Sequence, residues 1–376
     1  MKILRVAQNL YPEVPGGGTY HVHAMSRDQA EMGHDVTVLT VSDIHQSSID
    51  EPADQRLTDD DSLPRREERD GYTVVRRKPT VGVIGNEIST GVGKFLRDAS
   101  GFDVIHAHSH LYFSTNLAAV KRRLGDIPLA ITNHGLYSQS APEWVFDLYL
   151  RTVGRWTFNT ADVVFCYTDE DRNRVREFGV NSRIEVVPNG VDTERFTPSG
   201  EESDLIDTDS EVVLFVGRLV EGKRPQDAVE AVSRLSESRD IELYVVGDGP
   251  MRDDLEETAD ENVSFLGQVP YDEMPRVYRS GDVLILPSRA EGLPRTVLEA
   301  FSSGIPVVSS HLEHTASIVQ EGGETVEVGD VEGYREALES VLSEKDKLGV
   351  RGRETVVDGF RWQDTVEETT DVLKQI

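Results

Sequence analysis

Glu291 and Glu299 stand eight residues apart in Glu291-Gly-Leu-Pro-Arg-Thr-Val-Leu-Glu299, around a Gly-Leu-Pro turn expected to open a helix. Pro294 suits the first helical turn, where a missing N–H costs nothing. The free backbone N–H groups of such a turn make an anion site. Upstream, Phe215-Val-Gly-Arg-Leu-Val-Glu-Gly-Lys223 ends a predicted strand with Arg218 and Lys223. Arginine grips phosphate with a fork and lysine adds a point charge. An anion cradle, two cations and two acids fit a sugar joined to a nucleotide diphosphate. One acid would hold the sugar hydroxyls and the other the ribose. The plainer reading makes Glu299 an exposed helix residue, Glu291 a loop acid, and Arg218, Lys223 and Arg224 surface charges beside Glu221.

A second group of candidates lies nearer the N-terminus. Pro12-Glu-Val-Pro-Gly-Gly-Gly18 follows the first strand, and Gly16, Gly17 and Gly18 let backbone approach a ligand or merely turn tightly. His21 occupies the place of the third glycine of a dinucleotide fingerprint, which argues against a nicotinamide or flavin dehydrogenase. His106, His108 and His110 alternate, so one strand would set them on a single side. No carboxylate or cysteine spacing accompanies them, so a metal site is not expected. His134 ends a separate strand in Ile131-Thr-Asn-His-Gly135, placed for a ligand or for backbone hydrogen bonds.

These residues need a scaffold. The chain has 376 residues, room for two domains, and a 38% hydrophobic fraction that supports a real core. Predicted strands at 2–9, 35–41, 73–76, 103–107, 129–133 and 163–167 are followed by a second series. That series runs through 185–187, 212–216, 242–246, 263–266, 283–286 and 306–309. Helices are expected at 20–32, 225–236 and 296–303, with Gly33 and Gly304 as stops. Continuous Val/Ile/Leu runs between helices indicate parallel sheets covered on both faces, hence two doubly wound α/β domains. The boundary is expected near Pro188-Asn-Gly-Val-Asp192. The polar stretches 43–70 and 199–210 read as a mobile excursion and a surface loop.

The net charge is −29, from 68 acidic against 39 basic residues. Phosphate-backbone binding needs a basic face, so nucleic acid is not an expected partner. A solvated acidic surface suited to high salt, and so a halophilic source, is the preferred explanation; a generic acidic enzyme is the alternative. The single cysteine, Cys166, lies in an apolar strand and reads as a core thiol. There is no signal peptide pattern and no apolar run near the roughly 18 residues needed to span a bilayer. A cytoplasmic protein is expected, with peripheral contact at the inner membrane face left open.

Taken together, Gly16-Gly-Gly18, Asp103-Val-Ile-His-Ala-His108, His134, Pro188-Asn-Gly-Val-Asp192, Gly217-Arg-Leu-Val-Glu-Gly-Lys223, Val246-Gly-Asp-Gly-Pro250 and Glu291-x7-Glu299 resemble the retaining GT-B glycosyltransferases of glycosyltransferase family 4. The resemblance spans nearly the whole chain. It implies two Rossmann-like domains facing a cleft: an acceptor domain over 1–188, a donor domain over 189–361, and a helix at 362–376 packing back on the first. It implies that Arg218 and Lys223 neutralise the donor diphosphate and that Glu299 bonds the ribose. Glu291 would face the donor sugar, and Gly292, Leu293, Pro294, Arg295 and Thr296 would line it. Gly267 and Val269 would border the base, His134 would contact the sugar, and Gly17 and Gly18 would approach the diphosphate. Many relatives carry Phe-Gly where this chain has Leu293-Pro294, and the charge on Arg295 has no assigned target.

The implied reaction is transfer with retention of anomeric configuration, from a UDP-sugar in preference to GDP. The acceptor would be a glycan, a lipid-linked or a small molecule, and no metal or cofactor is needed. Alternatives are a sugar-nucleotide epimerase or hydrolase, and a silent nucleotide-sugar binding protein. Oligomeric state is not readable.

Overall fold

The computed structural model describes residues 1–42, 63–83, 85–136 and 143–376. The expected excursion over 43–70 therefore falls mostly outside the described residues. The chain forms two units, one of residues 1–187 with 366–376 and one of residues 188–365.

The first unit is built on β1 (Lys2–Ala7), β2 (Asp35–Val41), β3 (Arg66–Arg69), β4 (Tyr72–Arg77), a small hairpin of β5 (Val81–Val83) and β6 (Asn86–Ile88), β7 (Val104–His108), β8 (Leu129–Thr132), β9 (Val163–Cys166) and β10 (Arg183–Val186). Its main sheet runs β10-β9-β8-β7-β1-β2-β4-β3. Every pair in it is parallel except β3 with β4. Runs such as Val163-Val-Phe-Cys166 are buried on both faces because helices cover both sides. Ile3, Val36, Val38 and Tyr72 pack on one side, together with Leu373 of the final helix, Trp362–Leu373. Leu4, Leu39, Ile105 and Ile131 pack on the other. Cys166 is fully buried, and desolvation pushes its thiol up to about 12.

Part of the expected excursion is ordered. Arg66–Arg69 is an edge strand antiparallel to β4, and polar content hid it from a reading based on apolar runs. It is held by charge: Arg69 and Arg76 both bind Glu13 and Glu67 at 2.5–2.9 Å.

The second unit carries β11 (Glu211–Val216), β12 (Ile241–Val246), β13 (Val263–Gly267), β14 (Val283–Leu286), β15 (Val307–Ser310) and β16 (Gly323–Val326). The order is β13-β12-β11-β14-β15-β16, all parallel. Phe215, Val245, Ile285 and Val308 share a core with Ala231, Leu235, Leu338 and Val341 from helices Pro225–Ser236 and Val331–Ser343. Both units are Rossmann-like. Since β11 is flanked by β12 and β14, the strand order reverses there, and the crevice at that switch point is where such sheets bind ligands.

Candidate functional site

The two strands at the switch point of the second unit carry most of the predicted charges. After β11 come Gly217, Arg218 and a single 3-10 turn at Glu221–Lys223; after β14 comes the loop leading to helix Arg295–Ser302. The loops are joined by a backbone hydrogen bond, Arg289 N–H to Gly222 C=O at 2.9 Å. They are also joined by an ion pair between Lys223 Nζ and Glu291 Oε1. Glu291 is 6% exposed and the Lys223 side chain 17%. Arg218, on the same loop as Lys223, is exposed. The plainer reading set Lys223 beside Glu221, but Lys223 pairs with Glu291, because the β11 and β14 loops meet while Glu221 turns to solvent.

Glycines set the Arg218 loop. Gly217 N–H donates to Val246 C=O, Leu219 N–H to Asp248 C=O, and Met251 N–H to Leu219 C=O. A Cβ at Gly247, whose φ is +133°, would fall 1.9 Å from Gly217 O, and one at Gly249 would fall 2.5 Å from Leu219 O. Val246-Gly-Asp-Gly-Pro250 therefore acts by letting one loop lie against another.

One expected member of the basic cluster is turned elsewhere. Arg224 adopts a left-handed φ of 51° and binds Asp227 at 2.6 Å, inside the first turn of its own helix. Arg295, whose charge had no assigned target, is 8% exposed. Its guanidinium donates to Tyr271 Oη at 2.9 Å and Gly190 C=O at 3.3 Å, lies 3.5 Å from Glu299, and stacks near Trp362. It is an internal cation.

Glu299 is 4% exposed, and its two oxygens accept the hydroxyls of Tyr271 and Tyr278, each at 3.0 Å. Burial raises its carboxyl above the ordinary value, and Arg295 pulls the other way. A carboxylate has about four acceptor positions, so further hydroxyls can still be received. The sequence reading missed Tyr271 and Tyr278, since neither lies at a recognisable spacing from Glu299. Gly292, Leu293 and Pro294 are buried, Pro294 caps the helix rather than entering it, and Thr296 is half-buried. Gly267 takes a φ of +68° at the end of β13, with half-buried Val269 two residues on.

In the first unit the corresponding ends of β7 and β8 hold histidines, and the end of β9 holds Tyr167. His134 Nε2 lies 3.0 Å from His108 Nδ1, and His134 Nδ1 lies 2.9 Å from Tyr167 Oη. His21 packs edge-on against His134 at 5.4 Å between ring centroids. Both ring nitrogens of His134 are thus occupied within the unit. His106 bonds Thr132 and lies 3.4 Å from the buried Arg5. His110 does not join the row as alternation suggested. Ser109 has a φ of 63°, which breaks the strand, and His110 packs on Phe158 instead. Desolvation holds all four imidazoles neutral: His134 falls to about 4, His110 to about 3, and His106 and His108 well below the ordinary value. Among the described residues no group of three His, Cys, Asp or Glu could hold a metal ion.

The glycines were expected in a loop, but Gly17 and Gly18 form the first turn of helix Gly17–Glu31, with Gly16 as its cap at φ +153°. A Cβ at Gly18 would lie 3.8 Å from His134 Nδ1, an ordinary contact.

Residues 15–195 match the model of Glycosyltransferase Family 4, and residues 210–344 match that of Glycosyl transferases group 1. The chain is 27% identical to the UDP-Gal:alpha-D-GlcNAc-diphosphoundecaprenol alpha-1,3-galactosyltransferase of Escherichia coli, across 72% of this chain and 75% of that one. Sucrose-phosphate synthase of Thermosynechococcus elongatus superposes with a TM-score of 0.81 at 20% identity, over 100% of this chain and 98% of that one. Anabaena HepE in complex with UDP-glucose superposes with a TM-score of 0.78 at 17% identity, over the full length of both chains. The shared fold is GT-B.

Proposed function

Given that the chain belongs to the family 4, group 1 glycosyltransferases and is a hexosyltransferase-type enzyme, we propose that it moves a hexose from a UDP-sugar to a glycan, lipid-linked or small-molecule acceptor with retention of configuration. The observation that carries this reading is the Lys223–Glu291 ion pair at the β11/β14 switch point, beside Arg218 and helix Arg295–Ser302. There a diphosphate meets cationic side chains and the N-terminus of a helix. A buried carboxylate stands on the same loop for the sugar hydroxyls. UDP is favoured over GDP because the E. coli relative is named for UDP-Gal and the HepE complex holds UDP-glucose.

In the proposed reaction the bond between the sugar C1 and the diphosphate oxygen breaks. The acceptor oxygen bonds C1 on the face the diphosphate leaves. The acceptor proton passes to the departing phosphate oxygen. Arg218, Lys223 and the helix terminus stabilise the charge that develops on the diphosphate, so the reaction as drawn requires no metal or other cofactor.

A thermal-shift panel of UDP- and GDP-sugars tests the donor, since a ligand that binds only the folded chain raises Tm. UDP-sugars should raise it and Lys223→Ala should abolish the shift. Normal transfer with unchanged donor affinity in Lys223→Ala would refute the diphosphate role. Product analysis with donor alone separates transfer from epimerisation or hydrolysis.

A further inference from the structure

The helical run of Glu143–Tyr149, a π turn at Leu150–Gly154 and Arg155–Thr160 presents large apolar side chains to solvent. Trp144 is 72% exposed, Leu148 57%, Val153 43% and Trp156 41%. Its inner side is occupied by Leu150, Gly154, Thr157 and Phe158, all buried. Helix Phe113–Leu124 lies alongside, with Asn116 Nδ2 donating to Tyr149 Oη at 3.0 Å and Thr157 Oγ1 at 2.9 Å. Val120 and Leu124 follow Asn116 by one and two turns, and they are 41% and 82% exposed. These two helical segments thus hold six of the 13 exposed large apolar side chains among the described residues. They also carry two of the chain's three tryptophans.

Charge separates this face from the rest of the molecule. The two segments contain five basic residues, Lys121, Arg122, Arg123, Arg151 and Arg155, against two acidic ones, Glu143 and Asp147, in a chain whose net charge is −29. Two of the five are paired, Arg122 with Asp162 and Arg151 with Asp147. Arg123 and Arg155 are exposed. An exposed apolar face with tryptophans and a basic flank is the composition that settles into the headgroup region of a bilayer.

We propose that this two-helix face docks on an anionic lipid surface. Trp144, Leu148, Val153, Trp156 and Leu124 enter the interface while Arg123 and Arg155 meet lipid phosphates. The acidic remainder of the chain is repelled by the same surface, so the molecule approaches with this face first. This placement is independent of the donor assignment and would bring the enzyme to a lipid-borne acceptor.

The test uses the full chain with unilamellar vesicles of phosphatidylglycerol and phosphatidylcholine, or of phosphatidylcholine alone. Co-sedimentation and tryptophan fluorescence are the readouts. Trp362 is 8% exposed, so a spectral change reports Trp144 and Trp156. The expected result is pelleting and a blue shift with phosphatidylglycerol vesicles, about tenfold weaker with phosphatidylcholine alone. Trp144→Ser/Trp156→Ser should lose the pelleting, and Arg123→Glu/Arg155→Glu should lose the preference for anionic lipid, both with unchanged Tm and donor binding. Failure to pellet with phosphatidylglycerol vesicles would overturn the proposal, as would a tryptophan double variant that pellets like the parent chain. So would a lipid-free dimer that the tryptophan double variant converts to monomer, which would assign the face to a second copy.

Discussion

Lys223 Nζ and Glu291 Oε1 pair across 68 residues of sequence, tying the loop after β11 to the loop after β14. The charges are mostly withdrawn from solvent, so deleting one strands the other. Lys223→Met and Glu291→Gln should each lower stability by about 1–3 kcal/mol, and the double variant should recover part of the loss. A double-mutant cycle of denaturant midpoints measures this. Strict additivity would mean that the pair does not couple the loops.

Gly247 holds the Arg218 loop by having no side chain. Gly247→Ala would drive a Cβ toward Gly217 O, at a φ of +133° that alanine rarely adopts. It should cost at least about 2 kcal/mol in denaturant unfolding and weaken nucleotide binding together with it. Affinity that survives intact would show that Arg218 is positioned by something else.

Tyr167 sets one end of a chain of hydrogen bonds through His134 to His108. Donation by Tyr167 places the His134 proton on Nε2; donation by His108 places it on Nδ1. Tyr167→Phe removes that choice without emptying the site. With His134 orienting the donor sugar and not acting as a base, turnover should fall on the order of tenfold with nucleotide affinity unchanged. An equal fall in kcat/KM and in UDP affinity would point to structural damage instead.

Acid should unfold the first unit early. His134 and His110 bind protons near 4 and 3 when folded but near 6.5 when unfolded. Between those values the unfolded chain takes up more protons, so stability rises with pH. Their contribution is complete above pH 6.5 and is lost as pH falls toward 4 and then 3. Tm should therefore drop across that window, and His110→Phe, which fills a site beside Phe146 and Phe158, should flatten the drop. A profile identical to that of the parent chain would show that His110 is already charged or exposed when folded.

The alternation of apolar strands with helices was readable because it is local: β9 and β14 are continuous apolar runs, and a run needs no distant partner to be seen. β3 was not readable, because Arg66–Arg69 is held by Glu13 and by pairing with β4 and not by its own apolar content. Likewise, alternation placed His110 with His106 and His108 until Ser109 turned left-handed and removed it.

At the site, the sequence by itself determined which charges follow β11 and β14, through the spacing of Arg218, Lys223, Glu291 and Glu299, and through the glycines that shape their loops. It also determined the family, since those motifs sit at fixed offsets along one chain. Only the tertiary structure decided which charges face inward. Arg295 is spent on Tyr271, Gly190 and Glu299, and Glu299 on Tyr271 and Tyr278. His134 has its ring nitrogens claimed by neighbours 26 and 33 residues away. A side chain's direction depends on which strands become neighbours, and that order is a property of the folded sheet, not of any local stretch of sequence.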